Sequence, residues 1–268
     1  MTDFTFAFLL TLLAGFATGT GGLIALVSKK NDFKFMSICL AFAAGVMVYI
    51  SFTDIFLKSI EALEYQYENY MLVVSATFFV GVAIMAIINK LLPTYGNAEQ
   101  KAKKKQKKGK KNALVSEEKE LKRTGIMTAV SVALHNFPEG FVVFMAALYD
   151  PSAGIAVAIG IAIHNIPEGI AIASPIFYAT GSRIKAFLMA FVSGLTEPLG
   201  ALAGYFVVRA LFTHAVEGIS FALVGGIMVY IVFDKILPTS YKFAKHGTVM
   251  VSLFAGMAVM ALSIMLIG

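Results

Sequence analysis

The chain has 268 residues, of which 58% are hydrophobic and only 14% charged, with a mean hydropathy of +0.79. A soluble domain carries roughly a quarter charged residues, so this balance excludes one and points to a chain solvated largely by lipid. The net charge of +6 would suit nucleic acid, but the lysines gather in one stretch without interleaved aromatic side chains, which argues against that partner.

Apolar stretches of about 20 residues, long enough to cross a bilayer as helices, can be placed eight times. They lie near 4–27, 35–57, 70–92, 125–148, 153–178, 185–208, 217–237 and 247–267. The first lacks a basic leading region and runs too long for a signal peptide. The second contains Gly45-Val46-Met47-Val48-Tyr49-Ile50-Ser51-Phe52, which the seventh nearly repeats as Gly226-Ile227-Met228-Val229-Tyr230-Ile231-Val232-Phe233. Two such spans cross the membrane in opposite directions. The expected fold is therefore an all-α integral membrane protein with eight transmembrane helices, in which spans 1–3 and 6–8 form an inverted repeat around central spans 4 and 5. The chain reads as one transmembrane domain over 1–268.

Between the third and fourth spans, residues 93–123 open with Pro93 and Gly96 and carry a lysine-rich run from Lys101 to Lys111. The expectation is a disordered cytoplasmic loop held against anionic lipid. It contains no histidine and is a poor metal sensor. Lys29, Lys30, Lys34, Arg183, Lys185, Lys235, Lys242 and Lys245 fall on the same side as this loop, with only Lys58 and Arg209 opposite. The positive-inside rule then puts both termini outside the cytoplasm. The lone Cys39 excludes an intramolecular disulfide.

The fourth and fifth spans carry the chemistry. His135-Asn136-Phe137-Pro138-Glu139-Gly140 recurs as His164-Asn165-Ile166-Pro167-Glu168-Gly169. A charge at the bilayer centre costs roughly 2.5–3.5 kcal/mol on insertion scales, and this chain accepts that cost twice. Residues four apart share a helix face, so His135 faces with Glu139 and His164 with Glu168. Imidazole nitrogen and carboxylate oxygen together suit a borderline divalent cation such as Zn²⁺. Each proline removes the amide that would bond the carbonyl four residues back, at Leu134 and Ile163, which then needs another partner in hydrocarbon. The sixth span repeats the device with Glu197 before Pro198, freeing Gly194.

Blander readings stand beside these. Glu139 and Glu168 could be a protonated structural pair, Asn136 and Asn165 could join helices, and Glu197 could carry protons. Met47 and Met228 are by default apolar filler. Asp54 and Asp234, read near helix ends, are candidates for entrance or exit positions, whereas His214 and His246 fall in loops with no specific role.

The paired motif, the Glu-Pro-x-x-Gly of the sixth span and the basic loop together resemble the ZIP family of divalent-metal transporters, in its bacterial ZupT-type branch. The resemblance covers all eight spans. It implies a two-metal site between spans 4 and 5. One metal would be held by His135, Glu139, His164 and Glu168, with Met47 as a further candidate. The second would take Asn136, Glu139, Asn165, Glu168 and Glu197, so that both glutamates bridge. The lysine loop departs from the histidine-rich loops of many members.

The expected function is uptake of Zn²⁺, with Fe²⁺, Mn²⁺, Co²⁺ or Cd²⁺ as competitors, across a bacterial inner membrane. Metal binding should displace protons and weaken at low pH. No cofactor beyond the transported ion and no nucleic acid are expected, and a homodimer is an open expectation. The rivals are an intramembrane metallohydrolase, for which the H-E-x-x-H string is absent; a metal-gated receptor or structural membrane protein; and an exporter.

Overall fold

In lipid a spanning segment must satisfy every backbone amide within itself, and the apolar stretches do so as helices. The computed structural model describes residues 3–23, 29, 32–91, 110–208 and 213–267, and among these the regular structure is entirely helical. Among the described residues, eight helices are long and apolar enough to cross a membrane. They are α1 (Asp3–Gly22), α2 (Phe33–Leu63), α3 (Tyr70–Leu91), α4 (Lys110–Tyr149), α5 (Pro151–Thr180), α6 (Arg183–Phe206), α7 (His214–Phe243) and α8 (His246–Ile267). Side chains cap several of their starts. Asp32 accepts from the Phe35 amide at 3.0 Å, Ser182 from Lys185 and Thr213 from Val216, each binding one of the amides a helix start leaves unpaired.

Three differences from the sequence reading have physical causes. Residues 110–123, expected to be loop, form the first turns of α4; residues 93–109 lie outside the described residues. The run Glu118-Lys119-Glu120-Leu121-Lys122-Arg123 is made of strong helix formers. Its apolar member Leu121 is buried, Glu120 pairs with Lys242, and Arg123 donates to the carbonyl and side-chain oxygen of Asn89 at 3.0 Å. Asp54 and Asp234 do not sit at helix ends, because α2 and α7 run past the apolar windows as far as Leu63 and Phe243. Both lie inside π-helical turns, Ser51–Ile55 and Val232–Ile236, each of which begins within the repeated string. Finally, Pro138 and Pro167 stand within unbroken helices, whereas α6 is interrupted at Leu195, just before Glu197.

The helices sort into two groups. Helices α1, α4, α5 and α6 pack on one another, while α2 packs on α8 and α3 on α7; α2 with α5 and α7 with α4 join the groups. Glycines make the closest crossings. A Cβ on Gly45 would strike the Leu253 carbonyl, and one on Gly226 the Phe78 carbonyl; reciprocally, Gly256 abuts Phe42 and Gly81 abuts Leu223. Polar ties follow the same scheme. The Ser37 hydroxyl donates to the Ser240 carbonyl and the Ser240 hydroxyl to the Ser37 carbonyl, both at 2.7 Å, and Ser59 donates to Gly218 at 2.7 Å.

Candidate metal centre

Helices α1, α4, α5 and α6 meet where both six-residue motifs and Glu197 lie. The glycine ending each motif lets its helix press on a neighbour. Gly140 lies against the backbone of Glu197 and Gly169 against that of Thr18, so α4 is seated on α6 and α5 on α1. The reverse contacts, Gly200 on Phe137 and Gly21 on Ile166, lock the same crossings. Without these missing side chains the acidic groups could not converge.

All seven polar motif residues are buried, none more than 3% exposed. His135 and Glu139 share a helix face as their spacing requires, yet the short contacts run between helices. His135 Nε2 lies 2.7 Å from Glu168 Oε1, and His164 Nε2 lies 3.3 Å from Glu139 Oε1, close but too poorly aligned for a hydrogen bond. The four side chains thus form two crossed pairs. Beside them, Asn136 donates to Glu197 Oε1 at 3.1 Å and Asn165 to the same oxygen at 2.5 Å. Asn165 is also anchored to the Ala14 carbonyl of α1 at 2.9 Å. Glu197 therefore lies beside both asparagines, which makes one connected polar cluster from three helices.

The oxygens and nitrogens left over reveal what this cluster lacks. Among the described residues, the buried side-chain polar atoms without a partner all belong to these seven residues except Thr18 Oγ1, Arg123 Nε, Thr128 Oγ1 and Ser131 Oγ. They include one oxygen on each of Glu139, Glu168 and Glu197, the side-chain oxygens of both asparagines, and Nδ1 of both histidines. Buried polar atoms are nearly always paired, because an unpaired one forfeits its hydration. A dense group of lone pairs in a membrane interior fits a cation-receiving site. No three His, Cys, Asp or Glu side chains among the described residues are already arranged as a metal cage. The histidines are engaged with carboxylates, and a cation would have to take the place of those contacts.

The hydrogen bonds and ion pairs of the remaining candidates run to other side chains. Met47 is fully buried in the main apolar core together with Met228; the Ser51 hydroxyl donates to the Met47 carbonyl at 2.6 Å and approaches Met228 Sδ at 3.9 Å. Asp54 pairs with Lys58 at 2.9 Å, and Asp234 with Lys235 at 2.7 Å and Asn89 at 3.0 Å. Both carboxylates thus have cationic neighbours. His214 is exposed beside Glu217, and the His246 ring stacks on Tyr241. Sequence reasoning passed over Thr18, whose buried hydroxyl has no partner and whose backbone receives Gly169; a lone threonine in an apolar helix carries no signal of that position.

The family model described as ZIP zinc transporter matches residues 94–264. A zinc transporter ZupT of Nitratidesulfovibrio vulgaris is 48% identical over 97% of this chain and 96% of its own length. One of Chlorobaculum parvum is 46% identical over 97% of each chain, and one of Oceanobacillus iheyensis 45% identical over the full length of both.

Proposed function

The chain belongs to the ZIP zinc transporter family, and from that premise we propose that it takes up Zn²⁺ through a two-metal site between α4 and α5. Membership makes it an integral membrane transporter of divalent metal cations and not an enzyme, which removes the metallohydrolase from consideration. Zinc is the cargo named for its relatives. Fe²⁺, Mn²⁺, Co²⁺ and Cd²⁺ are competitors by ligand chemistry, since mixed nitrogen and oxygen ligands suit them all.

The observation that carries the reading is the cluster of unpartnered lone pairs on the two motifs and Glu197. In the proposed arrangement His135, Glu139, His164 and Glu168 hold one ion, with Met47 as a further candidate ligand. Asn136, Glu139, Asn165, Glu168 and Glu197 hold the second. The crossed His–Glu pairs give each carboxylate one engaged oxygen and one unpartnered oxygen, as a bridging ligand needs. The reciprocal contacts of Gly45 with Leu253 and Gly226 with Phe78, and the two matched π turns, support spans 1–3 and 6–8 as an inverted repeat. Such a repeat favours alternating access to a midplane site.

The distribution of lysine and arginine supports both termini outside the cytoplasm of a bacterial inner membrane, with the basic loop against its anionic inner leaflet. In that orientation an inside-negative potential drives a divalent cation inward by about 4.6 kcal/mol per 100 mV, from about 2.3 per charge, so no coupled ion is required.

The test is Zn²⁺ uptake by the purified protein in liposomes with an imposed inside-negative potential. Uptake above that of protein-free liposomes, collapsing when the potential is reversed, is the expected result. Binding without uptake by folded protein would instead identify a metal-gated receptor. Glu197→Gln is expected to change the rate or the metal preference by about tenfold, the value of one charged contact, while folding survives because a carbonyl oxygen remains for both asparagines. Unchanged rate and preference would remove Glu197 from the ligand set.

A further inference from the structure

Thr124, Thr128, Ser131 and His135 follow one another along α4 at helical spacing and so lie on one face. At about 1.5 Å per residue, Ser131 stands roughly 6 Å, Thr128 roughly 10 Å and Thr124 roughly 16 Å from the His135 level along the axis. That is about half the thickness of a bilayer core, from the metal centre toward the end of the helix near the lysine-rich loop. All three hydroxyl residues are buried.

Their bonding is unusual for this protein. Thr11, Ser51, Thr53, Thr180, Ser220, Ser252 and Ser263 each donate to the carbonyl four residues back, the ordinary way an intrahelical hydroxyl is satisfied. Thr128 Oγ1 and Ser131 Oγ do not, and they have no other partner. Thr124 ends the row in a 3.2 Å hydrogen bond to Thr239 of α7. The neighbouring face of α4 is fully used: Gly125 meets Ile176 of α5, and Ser193 of α6 donates to the Ala129 carbonyl. The hydroxyl face runs instead from His135, beside α5, to Thr124, where α4 meets α7 at the boundary between the two helix groups.

Duplication does not account for the row. The positions equally far before His164 on α5 are Ala153, Val157 and Gly160, which carry no hydroxyl. Because α4 and α5 run antiparallel, those positions fall on the opposite side of the membrane. The hydroxyls therefore belong to one half of the route only.

We propose that this face of α4 is the cytoplasm-directed half of the cation's path, in which Ser131 and Thr128 oxygens replace hydration water as the ion leaves the His–Glu cluster, and the Thr124–Thr239 hydrogen bond is its closure. The proposal rests on the uptake function and orientation argued above. A divalent cation sheds water where protein ligands replace it, and hydroxyls are neutral oxygen ligands that release it again.

The experiment compares wild type, the double variant Thr128→Val with Ser131→Ala, and Thr128→Ser, reading equilibrium Zn²⁺ binding, melting temperature and initial uptake in liposomes. Removing two neutral hydroxyl contacts should slow uptake about tenfold. Zn²⁺ affinity should stay within about twofold, and the melting temperature should not fall, since deleting an unpaired buried polar group relieves a cost. Thr128→Ser keeps the oxygen and should keep most of the rate. Uptake by the folded double variant at the wild-type rate would overturn the proposal. A wild type that binds Zn²⁺ but never transports it would instead overturn the function beneath it.

Should the double variant fail to fold, Thr128→Cys in a Cys39→Ala background decides the matter. Labelling by a membrane-impermeant thiol reagent from the loop side, slowed by Zn²⁺, is expected; protection from both sides would show a dry packing face and overturn the path.

Discussion

Replacing Glu168 by alanine is expected to lower Zn²⁺ uptake by on the order of a hundredfold or more, since contacts to charged groups contribute about 1.5–3 kcal/mol each and two are lost. Glu168 is fully buried; one oxygen lies 2.7 Å from His135 Nε2, and the other is unpartnered. Alanine removes both oxygens and leaves His135 Nε2 without a partner in the membrane interior. Glu168→Gln separates charge from shape, because it keeps a carbonyl acceptor for His135 but no negative charge for the metal. Initial uptake rates in liposomes, with size-exclusion profiles as a check on folding, give the answer. If Gln behaves like Ala, the charge carries the effect; if Gln retains wild-type rates, Glu168 only orients His135. A folded Glu168→Ala protein transporting at the wild-type rate would exclude a shared site on α4 and α5.

Much of this centre was legible in the sequence because its two copies advertise it. A histidine and a glutamate four apart must share a helix face, and a repeated charge in apolar surroundings demands a use. The cross-pairing was not legible. Spacing on one helix says nothing about the rotation of the next, and only the crossing of α4 over α5 joins His135 to Glu168 and His164 to Glu139. Thr128 and Ser131 were invisible for a related reason. Other described hydroxyls bond their own helix, and nothing local distinguishes Thr128 and Ser131, or Thr18, from them. The helix windows were read well where hydropathy changes sharply. They ended too early at α2 and α7, where amphipathic turns after each π segment keep one face on the core and expose the other. The loop was read too long because composition alone does not separate a charged helix from a charged coil. Leu121 and the Arg123–Asn89 contact, both supplied by tertiary structure, decide it here.

Gly169→Val is the second large effect, expected to remove metal binding and uptake together and to lower stability by about 3 kcal/mol or more, the upper range for overpacking. A Cβ at this position lands on the Thr18 carbonyl, and the facing Gly21 already touches the Ile166 carbonyl, so the crossing of α1 and α5 is backbone on backbone. A side chain elsewhere in a core can rotate away from an intruder, but a carbonyl bonded into its own helix cannot. The helices must separate. Separation breaks the Asn165–Ala14 bond and displaces Glu168, the very next residue, from His135. Gly160→Val is the control: nothing lies within 4 Å of a Cβ there, so it should melt and transport like wild type. Thermal melting of the two purified variants, with and without Zn²⁺, distinguishes them. A Gly169→Val protein as stable as wild type would mean that the crossing can open without loss, and the close approach could then not be what holds the site. The repeated motif gains a physical reading from this contrast. Its histidine, asparagine and glutamate join the buried polar cluster, its proline withholds an amide, and its glycine brings the helix close enough for the others to converge.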